Sequence, residues 1–418
     1  MRGVKREVGY TKSMETLSSQ CVIAGGGPAG IMLGYLLARA GIETIVLEKW
    51  PDFFRDFRGD TIHPATMQIL RELGMIEKFF ALPHSEMESM TINFGDDAVM
   101  IADFRKIAVA DKFVAFIPQW DFLNFLSAEA RQYPAFHLMM ETEAIDVIRE
   151  NGMVVGVFAK RGNDTIAIRA PLTIGADGRH STIREKAGFV VDDLGAPIDV
   201  LWFRIGMSGP DQRRSLAYVN DGRVLIMLDR HDYWQCAYLI KKDSFPALRE
   251  AGLEAFRESV RVLAPVSSAQ LAEIDSWDKV KLLSVTVDHV RTWAKDGVLL
   301  IGDAAHAMSP LGGVGINYAI QDAVAAGNIL VPAFRSGDIS PRILARLQMR
   351  RSKPTLRIQR MQVFLQNHFL APLLSTRGRA RVPLLLWLFS WLPFLRAIPP
   401  RVIGFGFLPE HVRIDFRN

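Results

Sequence analysis

Hydrophobic and polar positions alternate in two distinct ways along this chain. Four short runs are almost wholly apolar: Gln20–Ala24 (QCVIA), Glu43–Leu47 (ETIVL), Pro171–Ala176 (PLTIGA) and Gly297–Ile301 (GVLLI). Continuous runs of this length, bounded by turn residues, predict strands covered on both faces of a parallel sheet. Between the first two, Ile31, Leu33, Leu36 and Leu37 keep a helical pattern that stops near Gly41, which gives a βαβ unit with a glycine turn at its first junction. A second helix is expected from Ile316 to about Leu330. The middle of the chain alternates instead. There Arg223–Arg230 against Tyr233–Lys241, joined at His231-Asp232, predicts a β-hairpin. Its period of two puts Tyr233, Gln235 and Ala237 on one face and Trp234, Cys236 and Tyr238 on the other, without saying which face looks inward. The ends are thus doubly wound and the middle β-rich, and no repeat or low-complexity linker separates them.

Composition trims the options. At 418 residues the chain exceeds one compact core, and 49% hydrophobic with 23% charged residues describes an ordinary globular protein. The net charge of +5 comes with no long block of Lys and Arg, so no nucleic-acid partner is expected. Cys21 and Cys236 sit in apolar runs with no C-x-x-C pair, which predicts buried core residues and a reducing, cytoplasmic setting. Met1–Gln20 is polar and without an apolar signal core, so it is expected to fray, and Met14 is a second candidate start. The histidines show no metal-ligand spacing, and no metal is expected.

The first chemical motif is Gly25-x-Gly27-x-x-Gly30, with Pro28 and Ala29 inside it. Its glycines serve a tight turn, backbone approach to a pyrophosphate, and close helix–strand packing, with the helix start facing the phosphate charge. Glu48, followed by Lys49, ends the next strand. A carboxylate there accepts both ribose hydroxyls of an adenosine and disfavours a 2′-phosphate, so FAD or NAD is expected rather than NADP. A second motif follows the fourth apolar run: Gly302-Asp303-Ala304-Ala305-His306, then Pro310, Gly312, Gly313, Gly315, Ile316, Asn317 and Asp322-Ala323. A third, Asp177-Gly178-x-x-Ser181-x-x-Arg184, follows PLTIGA and also reads as a turn with a Ser-capped helix.

In this order and spacing the motifs resemble those of the para-hydroxybenzoate hydroxylase-like, or class A, FAD-dependent monooxygenases. The matches run collinearly from Gln20 to Asp322, about three quarters of the chain. The resemblance implies an α/β fold in which a Rossmann-type FAD-binding domain is interwoven with a β-sheet-rich substrate domain and followed by a helical C-terminal segment. It implies that Asp303 binds ribityl hydroxyls and that Pro310, Gly313, Gly315, Ile316 and Asn317 line the flavin ring. There the positive end of the following helix would stabilise the reduced anionic flavin. It also places Asp177 and Gly178 by the pyrophosphate, Arg58 over the phosphates, and Gln119 against FAD. His306, inside the Asp303 loop, is read as a packing or hydrogen-bonding residue.

The implied activity is hydroxylation of an aromatic or other apolar small molecule with NADH or NADPH and O2 through a flavin C(4a)-hydroperoxide. The alternatives are a flavin-dependent reductase or dehydrogenase of a quinone- or polyprenyl-like substrate and a non-catalytic redox sensor. A halogenase is disfavoured because no W-x-W-x-I-P segment occurs. Residues 18–86, 119–195 and 291–370 are assigned to the FAD domain, 87–118 and 196–290 to the substrate sheet, 1–17 to a flexible extension and 371–418 to an apolar C-terminal segment. No catalytic base stands out: Tyr233, Arg204 and Pro310 are the catalytic candidates, and Trp202, Arg223, Met227 and Gln235 the substrate contacts. Val382–Leu395 (VPLLLWLFSWLPFL) is too short to span a bilayer. It is read as a packed helix, with a homodimer contact or a peripheral membrane-surface contact as the other two options.

Overall fold

In the computed structural model, which describes residues 14–54, 61–207, 216–230 and 232–417, the four apolar runs form the middle of one sheet. Its strands lie in the order Ala294–Lys295, Val298–Leu300, Leu172–Gly175, Cys21–Ala24, Thr44–Leu47 and Phe136–Met139. All neighbours are parallel except the first pair. Cys21 at its centre is fully buried, and Cys236 in the hairpin is too; burial pushes both thiols up and leaves them as small apolar groups. The helix Pro28–Arg39 starts on a proline whose missing N–H costs nothing there. It lies between helix Gln119–Ala130 and the long helix Gly315–Ser336. Gly34 lets it close onto the sheet: a Cβ at that position would sit 2.8 Å from both Phe136 Cε2 and Val46 Cγ2.

A second sheet carries Thr16–Ser18, Asp164–Arg169, Met153–Arg161 and Thr142–Glu150 in that order. Thr16–Ser18 was expected within the frayed start, yet it pairs in parallel with Ala167–Arg169. Backbone pairing needs no apolar side chain, so a short polar edge strand leaves no pattern to read.

The third and largest sheet has seven strands: Lys281–Leu283, Ile198–Gly206, Tyr233–Lys241, Arg223–Asp229, Ala217–Asn220, Ser89–Phe94 and Asp97–Asp103. The hairpin forms in the expected register, with Met227 opposite Cys236 and Leu228 opposite Gln235. One face, with Leu201, Phe203, Leu225, Met227, Cys236 and Tyr238, packs on Phe256, Val260 and Leu271 of two short helices. The other face, with Trp202, Ile226, Leu228 and Ala237, meets Phe104, Phe116 and the C-terminal segment. This second face is the inward one. A small sheet of Thr61–Ile62, Val114–Phe116 and Ser85–Met87 joins it to the first body.

The segment after residue 370 divides rather than acting as one unit. Helices Leu384–Trp391 and Ile398–Phe405 lie by the inner face of the large sheet. Beyond Gly406 the chain returns across the first body: Val412 N–H reaches Glu72 at 2.8 Å, Arg413 N–H reaches Asn328 at 2.8 Å, and Arg39 covers the Phe416 ring at 4.2 Å. Gly34→Val is expected to cost about 1–3 kcal/mol by overpacking the helix against the sheet, read as a lower urea midpoint; an unchanged midpoint would count against this packing.

Candidate active site

The first glycine loop is fixed by backbone contact. Gly25 has φ of 107°, and a Cβ on Gly30 would fall 1.9 Å from Gly25 O. Gly27 has the opposite surroundings: a Cβ there would meet nothing within 4 Å. It caps helix Pro28–Arg39 without any side-chain hydrogen bond, so the first-turn N–H groups of Ala29 and Gly30 remain for a ligand. Glu48 is buried at the next strand end, where its Oε1 accepts from Trp50 N–H at 3.1 Å. A Cβ on Gly26 would lie 2.8 Å from Glu48 Cβ, so this carboxylate stands beside the loop. Lys49 is solvent-exposed, 3.7 Å from Glu143. Gln119 opens its helix as expected, and Arg58 lies outside the described residues.

The second loop rests on the first. Gly302 sits where a Cβ would be 3.2 Å from Ala29 Cβ and 3.4 Å from Ala319 Cβ. Pro310 heads a turn through Gly312 and Gly313, both left-handed, and a Cβ on Gly313 would strike Thr61 Oγ1 at 2.3 Å. Helix Gly315–Ser336 then begins with no side-chain cap and with open space at the Gly315 Cβ position. The Asn317 side chain is a clamp: Oδ1 accepts from His63 N–H (2.9 Å) and Thr66 Oγ1 (2.7 Å), and Nδ2 donates to Thr61 O (3.0 Å). Ile316 is buried beside it. Two uncapped helix starts, each led by a glycine facing open space, with Glu48 near one and Asp303 near the other, fit FAD. Gly27, Ala29 and Gly30 would hold its pyrophosphate, Glu48 its ribose, Asp303 its ribityl chain, and the 312–317 backbone its ring.

The third motif ties the two loops together. Asp177 accepts from Ser181 Oγ at 2.5 Å and from Ile183 N–H at 3.1 Å, while Ser181 caps the following helix through Arg184 N–H at 2.9 Å. Burial raises the Asp177 carboxyl above its ordinary range, and the Ser181 bond offsets only part of that. Gly178 provides the left-handed turn, with φ of 84°. Arg184 reaches Asp288 at 3.3 Å and Ala304 O at 3.4 Å. Arg179, one residue past the motif glycine, donates to Asp303 at 3.2 Å and to Met308 O at 3.3 Å. The turn and Ser-capped helix read from this motif are both present, and Arg179, the residue after the motif glycine, also steadies the Asp303 loop.

Behind the loop lies a row of buried charge. Asp322 and Arg351 have no exposure and His306 almost none. Asp322 accepts from Gly302 N–H (3.1 Å), from His306 Nε2 (2.5 Å) and from Arg351 Nε (2.9 Å). Burial pushes its carboxyl up, but the imidazole and the guanidinium outweigh that, and the net shift is downward. Arg351 also approaches Glu410 at 3.6 Å, and Arg350 pairs with the same carboxylate at 2.6 Å. His306 is thus a hydrogen-bonded packing residue. Three glutamines hold the loop: from helix Pro341–Leu365, Gln359 Nε2 donates to Ala307 O (2.8 Å) and Gln362 to Leu311 O (2.8 Å), and just beyond it Gln366 donates to the Ser309 hydroxyl. Sequence reading missed Arg179, Arg351, Glu410 and these glutamines. Only the Gln359–Gln362–Gln366 spacing, three then four residues on one helical face, offered a signal.

The large sheet separates the substrate candidates. Trp202, Arg204, Tyr233 and Gln235 share the inward parity. Gln235 is buried and accepts from Arg230 Nε at 2.9 Å, and that guanidinium lies 5.5 Å from the Phe116 ring centre. Met227 and Arg223 do not join them. Met227 belongs to the helix-covered core on the opposite face, and Arg223, of the same parity, pairs with Asp221 at 2.7 Å. Both leave the set of substrate contacts, because the strand's period of two points them away. Among the described residues no cluster of three His, Cys, Asp or Glu side chains is placed to hold a metal.

Asp322→Ala is expected to cost about 3–5 kcal/mol by leaving Arg351 buried with a weakened counter-charge, and to release FAD at a lower urea concentration; wild-type values would refute the dependence. Stability should also fall in acid. Burial lowers both His63 and His289 to about 4, from an ordinary value of 6.5. Between those values the unfolded chain binds more protons than the fold, so stability is lost as pH drops from about 6.5 and the loss is complete below about 4. His63→Asn should flatten the acid limb of a stability–pH curve, and an unchanged slope would contradict the assignment.

The FAD binding domain family matches residues 18–358. The 6-methylpretetramide 4-monooxygenase of Streptomyces rimosus is 32% identical over 399 residues, covering 94% of each chain. The crystal structure of p-nitrophenol 4-monooxygenase from Pseudomonas putida DLL-E4 superposes with a TM-score of 0.72 at 20% identity, covering 94% of this chain and 95% of that one. The anhydrotetracycline hydroxylase of Streptomyces rimosus gives 0.70 at 21% identity, over 93% and 76%. The fold is that of the para-hydroxybenzoate hydroxylase-like flavoproteins. With the paired glycine loops, the buried carboxylates behind them and these relatives all in agreement, the chain belongs to the FAD-binding-domain family and is an FAD-dependent monooxygenase.

Proposed function

We propose that this enzyme hydroxylates an aromatic or similarly apolar small molecule bound between the flavin-facing loop and the inner face of the seven-stranded sheet. The observation that carries this reading is the make-up of that face. Trp202, Ile226, Leu228 and Ala237 give it an apolar floor, and Gln235 and Arg230 add a few fixed polar groups. FAD held by these loops would supply the redox chemistry, with two electrons from NADH or NADPH, one atom of O2 entering the product and the other leaving as water.

The protein's own residues do the rest. First-turn N–H groups at Gly315, Ile316 and Asn317, at the positive end of a 22-residue helix, would stabilise negative charge developing on a reduced flavin ring bound there. Asp303, steadied by Arg179, holds the ribityl chain. Trp202 stacks the substrate and Gln235 orients its polar edge, with Tyr233 and Arg204 at the exposed end of the same face. The apolar wall keeps water from the reacting atoms. The same reading includes peripheral contact with a membrane surface through residues 382–395, which would bring an apolar substrate to the face this segment walls.

A panel of phenols and polycyclic aromatics should contain compounds that speed NADH or NADPH oxidation and yield a product heavier by one oxygen atom. A product that has gained hydrogen instead would favour a reductase. Asp303→Ala is expected to lose FAD or most turnover. Gln235→Leu should keep FAD and raise KM roughly tenfold by removing one oriented hydrogen bond. A fully active Asp303→Ala enzyme would sink the assignment.

A further inference from the structure

Residues 371–409 contain five arginines, Arg377, Arg379, Arg381, Arg396 and Arg401, and no Asp, Glu or Lys. Their number equals the formal excess charge of the whole chain, +5, so the chain's net positive charge is matched by this one stretch. Between the two arginine groups lies the helix Leu384–Trp391, and Arg396 sits in the turn Pro393–Ala397 that follows it. Their inward side chains are accounted for: Val382 and Leu386 pack against the core that holds Val200, Val224 and Ala237. Their outward ones are not covered. Leu384 is 76% exposed, Trp391 68%, Phe394 68% and Ile398 51%. Leu384, Trp387 and Trp391 stand three and four residues apart, a single helical stripe, and the two indoles lie 5.0 Å from each other.

We propose that this surface docks on a bilayer with anionic headgroups, with the Leu384–Trp387–Trp391 stripe and Phe394 at the acyl boundary and the flanking arginines at the phosphates. This deepens the membrane contact named in the proposed function and rests on it. No helix among the described residues is long and apolar enough to cross a membrane, so the segment lies in the interface plane. An apolar stripe of Trp, Leu and Phe rimmed by arginine is the composition that binds there. Charge argues against a second copy as the occupant. A twofold contact sets the same patch against itself and would bring two arginine-rich rims together, whereas anionic headgroups complement them. Arg379 pairs with Asp96 at 2.9 Å, and that pair is exposed.

The test uses the FAD-loaded full chain without substrate or reductant, so its failure leaves the hydroxylase reading untouched. Co-sedimentation with vesicles of phosphatidylcholine alone is compared with vesicles that also contain phosphatidylglycerol. Binding should be roughly tenfold tighter to the mixed vesicles and weaken as salt is raised. Brominated lipid should quench tryptophan emission. The double variant Trp391→Ser, Phe394→Ser should lose binding roughly tenfold with FAD content unchanged, while Arg377→Gln with Arg381→Gln should remove only the phosphatidylglycerol preference. Protein that stays in the supernatant with both vesicles would overturn the proposal. So would a concentration-dependent dimer that the Trp391→Ser, Phe394→Ser pair abolishes without any vesicle binding.

Discussion

Asp322 is cut off from water and must satisfy three donors from two other parts of the chain: the backbone N–H of Gly302 and the His306 imidazole from one loop, and the Arg351 guanidinium from a later helix. An isolated buried carboxylate would cost several kcal/mol; here each partner that offsets the cost is also a piece of the site that has to be placed. Gly302 and His306 bracket Asp303, and Asp322 itself belongs to the helix whose start lies under the ring position. One carboxylate therefore sets the distance between the ribityl-binding loop and the helix that would stabilise the reduced flavin. Gln359 and Gln362 repeat the principle along the next stretch by donating side-chain amides to the carbonyls of Ala307, Ser309 and Leu311, and Gln366 donates to the Ser309 hydroxyl.

The sequence announced the parts of this arrangement that depend on backbone. Central strands show as apolar runs because both of their faces are covered, and the glycines of the two loops show because a Cβ would either strike a neighbouring chain or fill the space a ligand needs. Arg351 and Glu410 left no such trace. A charged residue in a helix or a tail reads as surface until its partner is known, and these partners come from Asp322 and from the far end of the chain. Arg179 is a similar case: its neighbours Asp177 and Gly178 carry the recognisable motif, yet the guanidinium that meets Asp303 is the residue after them.

The large sheet shows a different limit. Alternation sorted Tyr233, Gln235 and Ala237 from Trp234, Cys236 and Tyr238 correctly, but a single strand cannot say which side has a roof. That is decided by the helices built on Phe256, Val260 and Leu271, which close one face and exclude Met227 from the substrate side. Ladder register then carries the parity across strands, so Trp202 and Ile226 follow Ala237.

The return of the chain after Gly406 bears on how this protein is made. A ribosome delivers the glycine loop, the Asp303 loop and both arginines of helix Pro341–Leu365 before it delivers Glu410. Until that residue emerges and packs back, Arg351 has Asp322 as its buried counter-charge and no second carboxylate beside it. The loops of the pocket thus precede, in order of synthesis, the carboxylate that completes the buried charge behind them.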